Sequence, residues 1–155
     1  IRDSSNLVLA DAKHLPFPNH TFTQIYCMVT LPYVGDENQA IQEIARALQP
    51  HGTLTLSHHL LPFYLKYLFK YSSEQIKKRH IFYPIYRTLD LVIKILAYLL
   101  NHNVAPRWVW KMSMFQTKRG LTKLLMQYGF TITHNTTRGK WLGLNQFIDI
   151  EATKT

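Results

Sequence analysis

The sequence predicts an α/β fold built on a largely parallel sheet. Short apolar runs at residues 6–10, 24–30 and 53–57 have the length and composition of buried strands. A segment with helical periodicity, residues 36–48, lies between the second and third runs. Strand, loop, strand, helix and strand with short connections is the order found in parallel α/β sheets.

The helical segment has a start signal, a stop signal and an apolar face. Asp36 followed three residues later by Gln39 resembles a capping box, and Pro50-His51-Gly52 ends the helix. The positions predicted to face the core are Ala40, Ile41, Ile44, Ala45 and Leu48. The positions predicted to face solvent are Gln42, Glu43 and Arg46.

The second half of the chain begins with a change of character. Residues 60–105 are aromatic and basic and predict two or three helices, which we interpret as a helical insertion over residues 60–110 of a single domain spanning 1–155. Residues 115–129 predict a helix capped by Gly129. Two alternating strands, FTITHNTT and GLNQFIDIEAT, follow and are expected to pair antiparallel.

The charge distribution and the content of cysteine and of potential metal ligands exclude several kinds of protein. The net charge is +9, and residues 58–112 hold nine Lys or Arg against two acidic residues, so the positive charge belongs to the insertion. Charges interrupt its apolar runs, which excludes a membrane span of about 20 unbroken apolar residues. A single cysteine, Cys27, excludes an internal disulfide and favours a reducing, cytoplasmic compartment. No cluster of His, Cys and Asp has metal-ligand spacing, so no metal site is predicted.

Residues 11–57 carry the motif that points to a family. The runs DAKHLPFPNHTFTQIYCMVTLPYV and AIQEIARALQPHGTLTLS resemble the central part of class I S-adenosylmethionine-dependent methyltransferases. The similarity is to the small-molecule group that includes quinone and sterol methyltransferases. Its pattern is Asp-Ala, two residues, Leu-Pro-Phe, an apolar strand, a helix ending in Ile-Ala-Arg-Val-Leu, and Lys-Pro-Gly-Gly. The resemblance implies a Rossmann-like methyltransferase sheet, partial and without its first strands, with an antiparallel carboxyl-terminal strand pair and the helical insertion.

The resemblance also implies roles for particular residues at the carboxyl ends of the strands, where open α/β sheets bind ligands. Asp11 would accept from the adenine amino group of S-adenosylmethionine, Ala12 would offer its backbone N–H, and Leu15 with Phe17 would wall the ring. Cys27 and Met28 would line the methionine part of the cofactor. The positions expected to line the substrate are Thr30, Leu31, Tyr33 and His58.

This sequence departs from the family pattern in several ways, one of them Thr23 in place of the usual Asp after Phe. Pro32-Tyr33 stands where the family commonly has two histidines, so no base is implied there. His51 replaces the first glycine of the Pro-Gly-Gly turn, and histidine tolerates a left-handed conformation better than most residues. The family's glycine-rich loop and ribose-binding acid would precede residue 1. The sequence is therefore expected to be the carboxyl-terminal portion of a longer domain, inactive by itself.

Some of the predicted site residues could also have purely structural roles. Asp11 could simply cap a turn, and Cys27 in an apolar strand is better explained as an inert core thiol than as a nucleophile. One of His58 and His59 could be a general base, since the pKa of histidine suits neutral pH, but solvated loop histidines are favoured.

The insertion has several interpretations. It could be a structural lid, or a cap enclosing an apolar substrate with its aromatic side chains, or a membrane-surface element whose lysines attract anionic headgroups. The aromatic residues of the cap are Phe63, Tyr64, Tyr67, Phe82, Tyr83, Tyr86 and Trp108. The sequence favours methyl transfer from S-adenosylmethionine to a small apolar, lipid- or quinone-like molecule, with peripheral membrane contact as a further expectation. An RNA methyltransferase is less favoured, because no RNA-binding module accompanies the basic patch. A non-catalytic membrane-surface protein that keeps the fold is the remaining alternative.

Overall fold

The described residues form a mixed four-stranded sheet that is flanked by helices. The computed structural model describes residues 7–77, 82–101 and 116–155. Within these ranges the strands lie in the order β1-β2-β4-β3. β1 and β2 are parallel, whereas β2 with β4 and β3 with β4 are antiparallel. The elements are β1 (Phe22–Met28), α1 (Glu37–Ala47), β2 (Leu48–His59), α2 (Leu61–Lys77), α3 (Phe82–Asn101), α4 (Lys118–Gln127), β3 (Phe130–Trp141) and β4 (Leu144–Lys154). The arrangement confirms the predicted α/β class and the antiparallel final pair.

The core lies between one face of the sheet and the helices α1 and α4. Alternate residues of β2, Leu54 and Leu56, are fully buried, as period-two alternation requires. They face the apolar side of α1, which carries Ile41 and Ile44, and that of α4, which carries Leu121 and Leu125. The helical periodicity of residues 36–48 therefore identified the buried side of α1 correctly.

Helix α1 begins and ends close to the predicted signals. Asp36 is its N-cap and accepts a hydrogen bond from the backbone N–H of Gln39. The helix ends at Ala47, and Leu48 is buried but opens β2 instead of closing the helix. β2 therefore starts five residues before the predicted strand at Thr53, because Phe22 of β1 pairs with Leu48 before the register shifts.

The Pro50-His51-Gly52 turn lies at that register shift. His51 has φ 61°, so it does adopt the left-handed conformation that a glycine would favour. Gly52 is buried, and a Cβ there would lie 2.8 Å from Leu48 Cγ and 2.9 Å from the carbonyl oxygen of Thr23. Only glycine fits this close approach.

The predicted strand at residues 6–10 is wrong for the part that is described. Leu7 to Ala10 form no strand, and the side chains of Leu7, Val8 and Leu9 are exposed. A strand needs a neighbour that accepts its hydrogen bonds, and in the described ranges no strand pairs with the outer edge of β1.

The insertion consists of α2 and α3 in its described part, which agrees with the prediction of two or three helices. It leaves the sheet after His59 and returns at Gln116, and Leu60 and Gln116 form an isolated parallel bridge. α4 follows with Thr117 as its N-cap, and Gly129 after it has φ 78°, as expected of a helix-ending glycine. The predicted helix start at Phe115 lies outside the described residues. Across the described chain, no helix combines the length and apolarity that crossing a membrane requires.

Candidate functional site

The site edge is the carboxyl end of the parallel strands β1 and β2. β1 ends at Met28, whose side chain is exposed, and Val29 then turns the chain with φ 56°. The Val29 N–H donates to the carbonyl oxygen of Ser57 on β2 at 3.0 Å. A β-branched residue at positive φ is strained, and such strain concentrates at functional sites. The sequence pattern gave no sign of this feature.

The residues predicted to line the substrate after β1 lie together at this edge. Leu31, Pro32 and Tyr33 form a short 3-10 helix. Leu31 is buried in the core, whereas Thr30 is exposed and Tyr33 is 63% exposed. Thr30 and Tyr33 are therefore accessible to solvent at this edge, and the buried Leu31 lies between them in the sequence.

Asp11 lies in a tight turn that ends beside this edge. Its Oδ1 accepts from the backbone N–H of Lys13 at 3.0 Å, and its side chain is 51% exposed. The same hydrogen bond from Lys13 lowers the pKa of Asp11, so the group is a carboxylate at neutral pH. His14 Nε2 lies 3.2 Å from the side-chain amide nitrogen of Gln39. Gln39 is in the first turn of α1, which follows the end of β1. Asp11 thus caps a turn, and its second carboxylate oxygen lies 3.5 Å from Lys13 Nζ.

The Leu-Pro-Phe-Pro loop is held by two charged residues of α1. Arg46 donates to the carbonyl oxygens of Leu15 at 3.0 Å and Phe17 at 2.7 Å. Glu43 accepts from the backbone N–H of Leu15 at 2.9 Å and from Arg46 at 2.8 Å. The hydrogen bond from Arg46 lowers the pKa of Glu43 to about 2. The prediction that Glu43 and Arg46 face solvent is therefore wrong, because the loop packs over this side of the helix.

His58 belongs to the core side of β2. It is fully buried, and its Nε2 lies 3.0 Å from Glu37 Oε1. Its Nδ1 lies 2.8 Å from the carbonyl oxygen of His59, and a carbonyl oxygen can only accept, so Nδ1 carries a proton. The second carboxylate oxygen of Glu37 accepts from the side-chain amide of Gln116. The predicted substrate-lining residue His58 is therefore enclosed in a buried polar network and is not exposed at the edge of the sheet.

His59 occupies the opposite side of β2 within an aromatic cluster. Its ring stacks on Phe63 with centroids 3.9 Å apart, and its Nδ1 lies 3.3 Å from the Tyr64 hydroxyl. Tyr33 meets it edge-on with centroids 6.2 Å apart. Burial, with smaller contributions from His58 and Arg138, lowers the pKa of His59 to about 4, so the ring is uncharged at neutral pH. The expectation that His58 and His59 are solvated loop histidines is wrong, since both lie within β2 and are buried.

The stacking continues along α2 as an aromatic ladder, formed by His59, Phe63, Tyr67 and Tyr71. Phe63, Tyr67 and Tyr71 are four residues apart, which places them on one side of α2, and His59 precedes them as the last residue of β2. Phe63 and Tyr67 have centroids 6.4 Å apart, and Tyr67 and Tyr71 have centroids 4.5 Å apart, all in stacked orientation. The ladder runs from the carboxyl end of β2 into the insertion and begins beside the exposed Tyr33.

A cation lies at the sheet end of this ladder. The guanidinium of Arg138 is 5.0 Å from the ring centroid of Phe147, which also contacts His59. Arg138 donates to Asp149 at 2.6 Å and to the Ser57 hydroxyl at 3.2 Å. The charge of Arg138 is therefore largely neutralised by Asp149.

The remaining predicted residues occupy core or flanking positions. Cys27 is buried, and burial raises the pKa of its thiol, as expected of a core cysteine. Ala12 and Leu15 are half-buried, and Ala12 packs on the core. No group of three or more potential metal ligands occurs in the described ranges. Of the aromatic residues expected to cap a substrate, Phe82 and Tyr86 are exposed on α3, whereas Trp108 and the side chain of Tyr83 lie outside the description.

Comparison with known sequences places the motif in a recognised domain. Residues 2–56 match the family described as "Methyltransferase domain". The methyltransferase GfsG of Streptomyces halstedii is 33% identical over 57 residues, which are 37% of this chain and 20% of that protein. The chain thus spans about a fifth of this curated relative.

Solved structures resemble the fold over nearly the whole chain. A SAM-dependent methyltransferase from Methanosarcina mazei has a TM-score of 0.58 at 18% identity, covering 94% of this chain and 65% of that one. An S-adenosylmethionine-dependent methyltransferase from Mesorhizobium loti has a TM-score of 0.57 at 17% identity, covering 94% of this chain and 67% of that one. At these identities the likeness concerns the fold.

Proposed function

We propose that this chain is part of a class I S-adenosylmethionine-dependent methyltransferase that transfers a methyl group to a small, largely apolar acceptor; its match to a methyltransferase domain over residues 2–56 and its fold support this assignment. The aromatic ladder carries this proposal, because it starts at the carboxyl end of β2 beside the exposed Tyr33 and continues through the half-buried Phe63 to the partly exposed Tyr67. Stacked rings favour a planar or elongated apolar molecule.

The residues at the edge fit the family's cofactor. Asp11 is an exposed carboxylate that could accept from an adenine amino group, and Ala12 in the same turn could offer its backbone N–H. Half-buried Leu15 and Phe17 could contact an adenine ring, while Met28, with the backbone of Cys27, would face the methionine part. S-adenosylmethionine, when bound, supplies a methyl group on a positively charged sulfur.

The contribution of the protein to the reaction is then mainly positioning. The acceptor must approach the methyl carbon in line, and Tyr33 with the ladder would hold it in that orientation and exclude water. His59 is uncharged, but with a pKa of about 4 it is a weak proton acceptor. We therefore assign His59 to packing the acceptor wall, and His58, buried against Glu37, to the support of that wall.

Methyl transfer from labelled S-adenosylmethionine to a panel of phenols, quinols and sterols, with RNA as a further substrate, would test the proposal on the whole protein. We expect apolar acceptors to be methylated and Phe63→Ala to raise the acceptor KM at least tenfold. Phe69→Ala is the matched control, since Phe69 is exposed on the same helix and contacts Trp141 instead of the ladder. Methylation confined to RNA, with affinity falling steeply as salt rises, would replace this proposal by RNA methylation.

A second candidate, contact with a membrane surface, is favoured by α3. Its exposed apolar side chains recur with alternating spacings of three and four residues, at Phe82, Ile85, Leu89, Val92, Leu96 and Leu99. Exposed lysines on α2, at Lys66, Lys70 and Lys77, add charge complementary to anionic headgroups. An acceptor drawn from a bilayer would connect the two candidates.

Co-sedimentation with vesicles containing anionic lipid would test the membrane candidate. The double variant Leu89→Ser with Leu96→Ser is expected to lose most binding, because it removes apolar area from the middle of the stripe. Leu89→Met with Leu96→Met keeps that area and should bind as the parent does. Equal binding by the serine and methionine variants would contradict the candidate.

A further inference from the structure

Glu37 joins the two ends of the helical insertion to the start of α1. One carboxylate oxygen faces His58, which lies one residue before the last residue of β2, where the chain leaves for the insertion. The other accepts from the side chain of Gln116, where the chain returns. Each oxygen of a single buried carboxylate is thus used by one end of the insertion.

Backbone contacts reinforce the same junction. The Gln116 N–H donates to the carbonyl oxygen of His59 at 3.3 Å, and that oxygen also accepts from Nδ1 of His58. Leu60, the first residue after β2, donates its N–H to the carbonyl oxygen of Gln146 on β4 at 2.8 Å. The insertion is therefore fixed at its base by polar contacts among residues that, apart from the half-buried Leu60, are almost completely buried.

We propose that Glu37, His58 and Gln116, here named the Glu37 clamp, position the insertion over the carboxyl edge of the sheet. Glu37 is the first residue of α1 and lies four residues after Tyr33, so the clamp ties the exposed Tyr33 segment to the base of the aromatic ladder. A buried polar network gives little net stability compared with apolar packing, but it does fix one arrangement of its partners. That makes the clamp a positioning device and Glu37 its central residue. The inference rests on the proposed function in one respect, namely that the edge of the sheet beneath the insertion is a substrate site.

The geometry predicts which substitutions at residue 37 are tolerated. Glu37→Gln can still accept from Gln116 through its carbonyl oxygen and donate from its amide to Nε2 of a neutral His58. Glu37→Met has similar length but leaves His58 and Gln116 buried without this partner. The clamp therefore predicts that Gln keeps the insertion in place and that Met releases it.

Amide hydrogen exchange of this chain, followed by mass spectrometry, would test the clamp without any assay of activity. In Glu37→Met we expect exchange in α2 to accelerate about tenfold, with β2 and β4 much less affected, whereas Glu37→Gln stays within about threefold of the parent. Glu43→Gln is the matched control on the same helix and should accelerate exchange in the loop at residues 15–21, not in α2. Gln116→Met, which removes one arm only, serves if Glu37→Met does not fold.

A spectroscopic signature separates positioning from general core packing. The Nδ1 proton of His58 should give a slowly exchanging imidazole signal in the parent and in Glu37→Gln, and should lose its protection in Glu37→Met. Unchanged α2 exchange in Glu37→Met, or equal acceleration of α2 and the sheet, would overturn the clamp. Calorimetry with S-adenosylmethionine on the whole parent protein tests the proposed function separately, so a protein that binds no cofactor can still carry a verified clamp.

Discussion

Arg46 and Leu15, 31 residues apart in the chain, are joined by a 3.0 Å hydrogen bond from the guanidinium Nη2 to the carbonyl oxygen. The same side chain reaches Phe17 and the carboxylate of Glu43. Helix α1 therefore sets the shape of the Leu-Pro-Phe-Pro loop from which the Asp11 turn extends.

Arg46→Lys should destabilise the chain measurably, because lysine cannot reproduce the fork of donors that spans two carbonyls and a carboxylate. Chemical denaturation at pH 7 would measure the loss. Gln42→Lys, exposed one turn earlier on α1, is the control and should change stability by less than about 0.5 kcal/mol. Equal effects of the two substitutions would contradict a loop-holding role for Arg46.

Asp11→Asn in the whole protein should weaken S-adenosylmethionine binding by about tenfold or more, since it replaces a charged acceptor by a neutral one. The asparagine oxygen can still accept from Lys13, so the turn should survive. Isothermal titration calorimetry measures the affinity. Asp36→Asn, which also exchanges an acid for a good capping residue, should bind the cofactor normally. Parent-like affinity in Asp11→Asn would leave Asp11 with the turn alone.

Stability should fall as the pH is lowered from 6.5 towards 4, because the folded chain resists protonation of His59. The pKa of this ring is lowered from 6.5 to about 4, so in that window the unfolded chain binds a proton that the folded chain does not. This difference in proton binding lowers the free energy of unfolding by on the order of 1–3 kcal/mol at pH 4, and the loss is absent above pH 6.5. Urea unfolding at several pH values measures the slope.

His59→Phe should reduce that slope while preserving much of the stacking with Phe63. The exposed His134→Gln on β3 is the matched control and should keep the parent slope. A parent slope in His59→Phe would show that another group is responsible.

Gly52→Ala should cost about 1–3 kcal/mol, because the added Cβ would approach Leu48 and the Thr23 carbonyl closer than van der Waals contact permits. Gly35→Ala is the comparison, since no atom lies within 4 Å of a Cβ there and only backbone strain opposes it. Thermal unfolding of both variants decides the matter. A smaller loss for Gly52→Ala than for Gly35→Ala would contradict the close packing.

Local patterns accounted for much of the fold but less of the site. The Asp36 cap, the apolar side of α1, the β1 run and the final strand pair all depend on neighbours within a few residues, so the sequence predicted them. The strand at residues 6–10 failed because a strand requires a partner, and no local pattern reveals whether one lies beside it.

The environments of His58 and His59 also could not be predicted from local sequence patterns. Sequence located His58 and His59 next to a strand, but their environments depend on where β2 ends and on which side of it each ring lies. Two adjacent residues of a strand point to opposite faces, so His58 meets Glu37 while His59 meets Phe63.

The sequence by itself determined the order of strands and helices from β1 onward, the family motif at residues 11–52 and the basic character of the insertion, since these are properties of contiguous residues. Only the tertiary structure decided the partners of Glu37, which lie 21 and 79 residues away at His58 and Gln116. Such contacts arise when sheet register and helix packing bring distant segments together in a buried space. A polar group buried in such a space is costly unless it is hydrogen-bonded, so Glu37, His58 and Gln116 pair with one another.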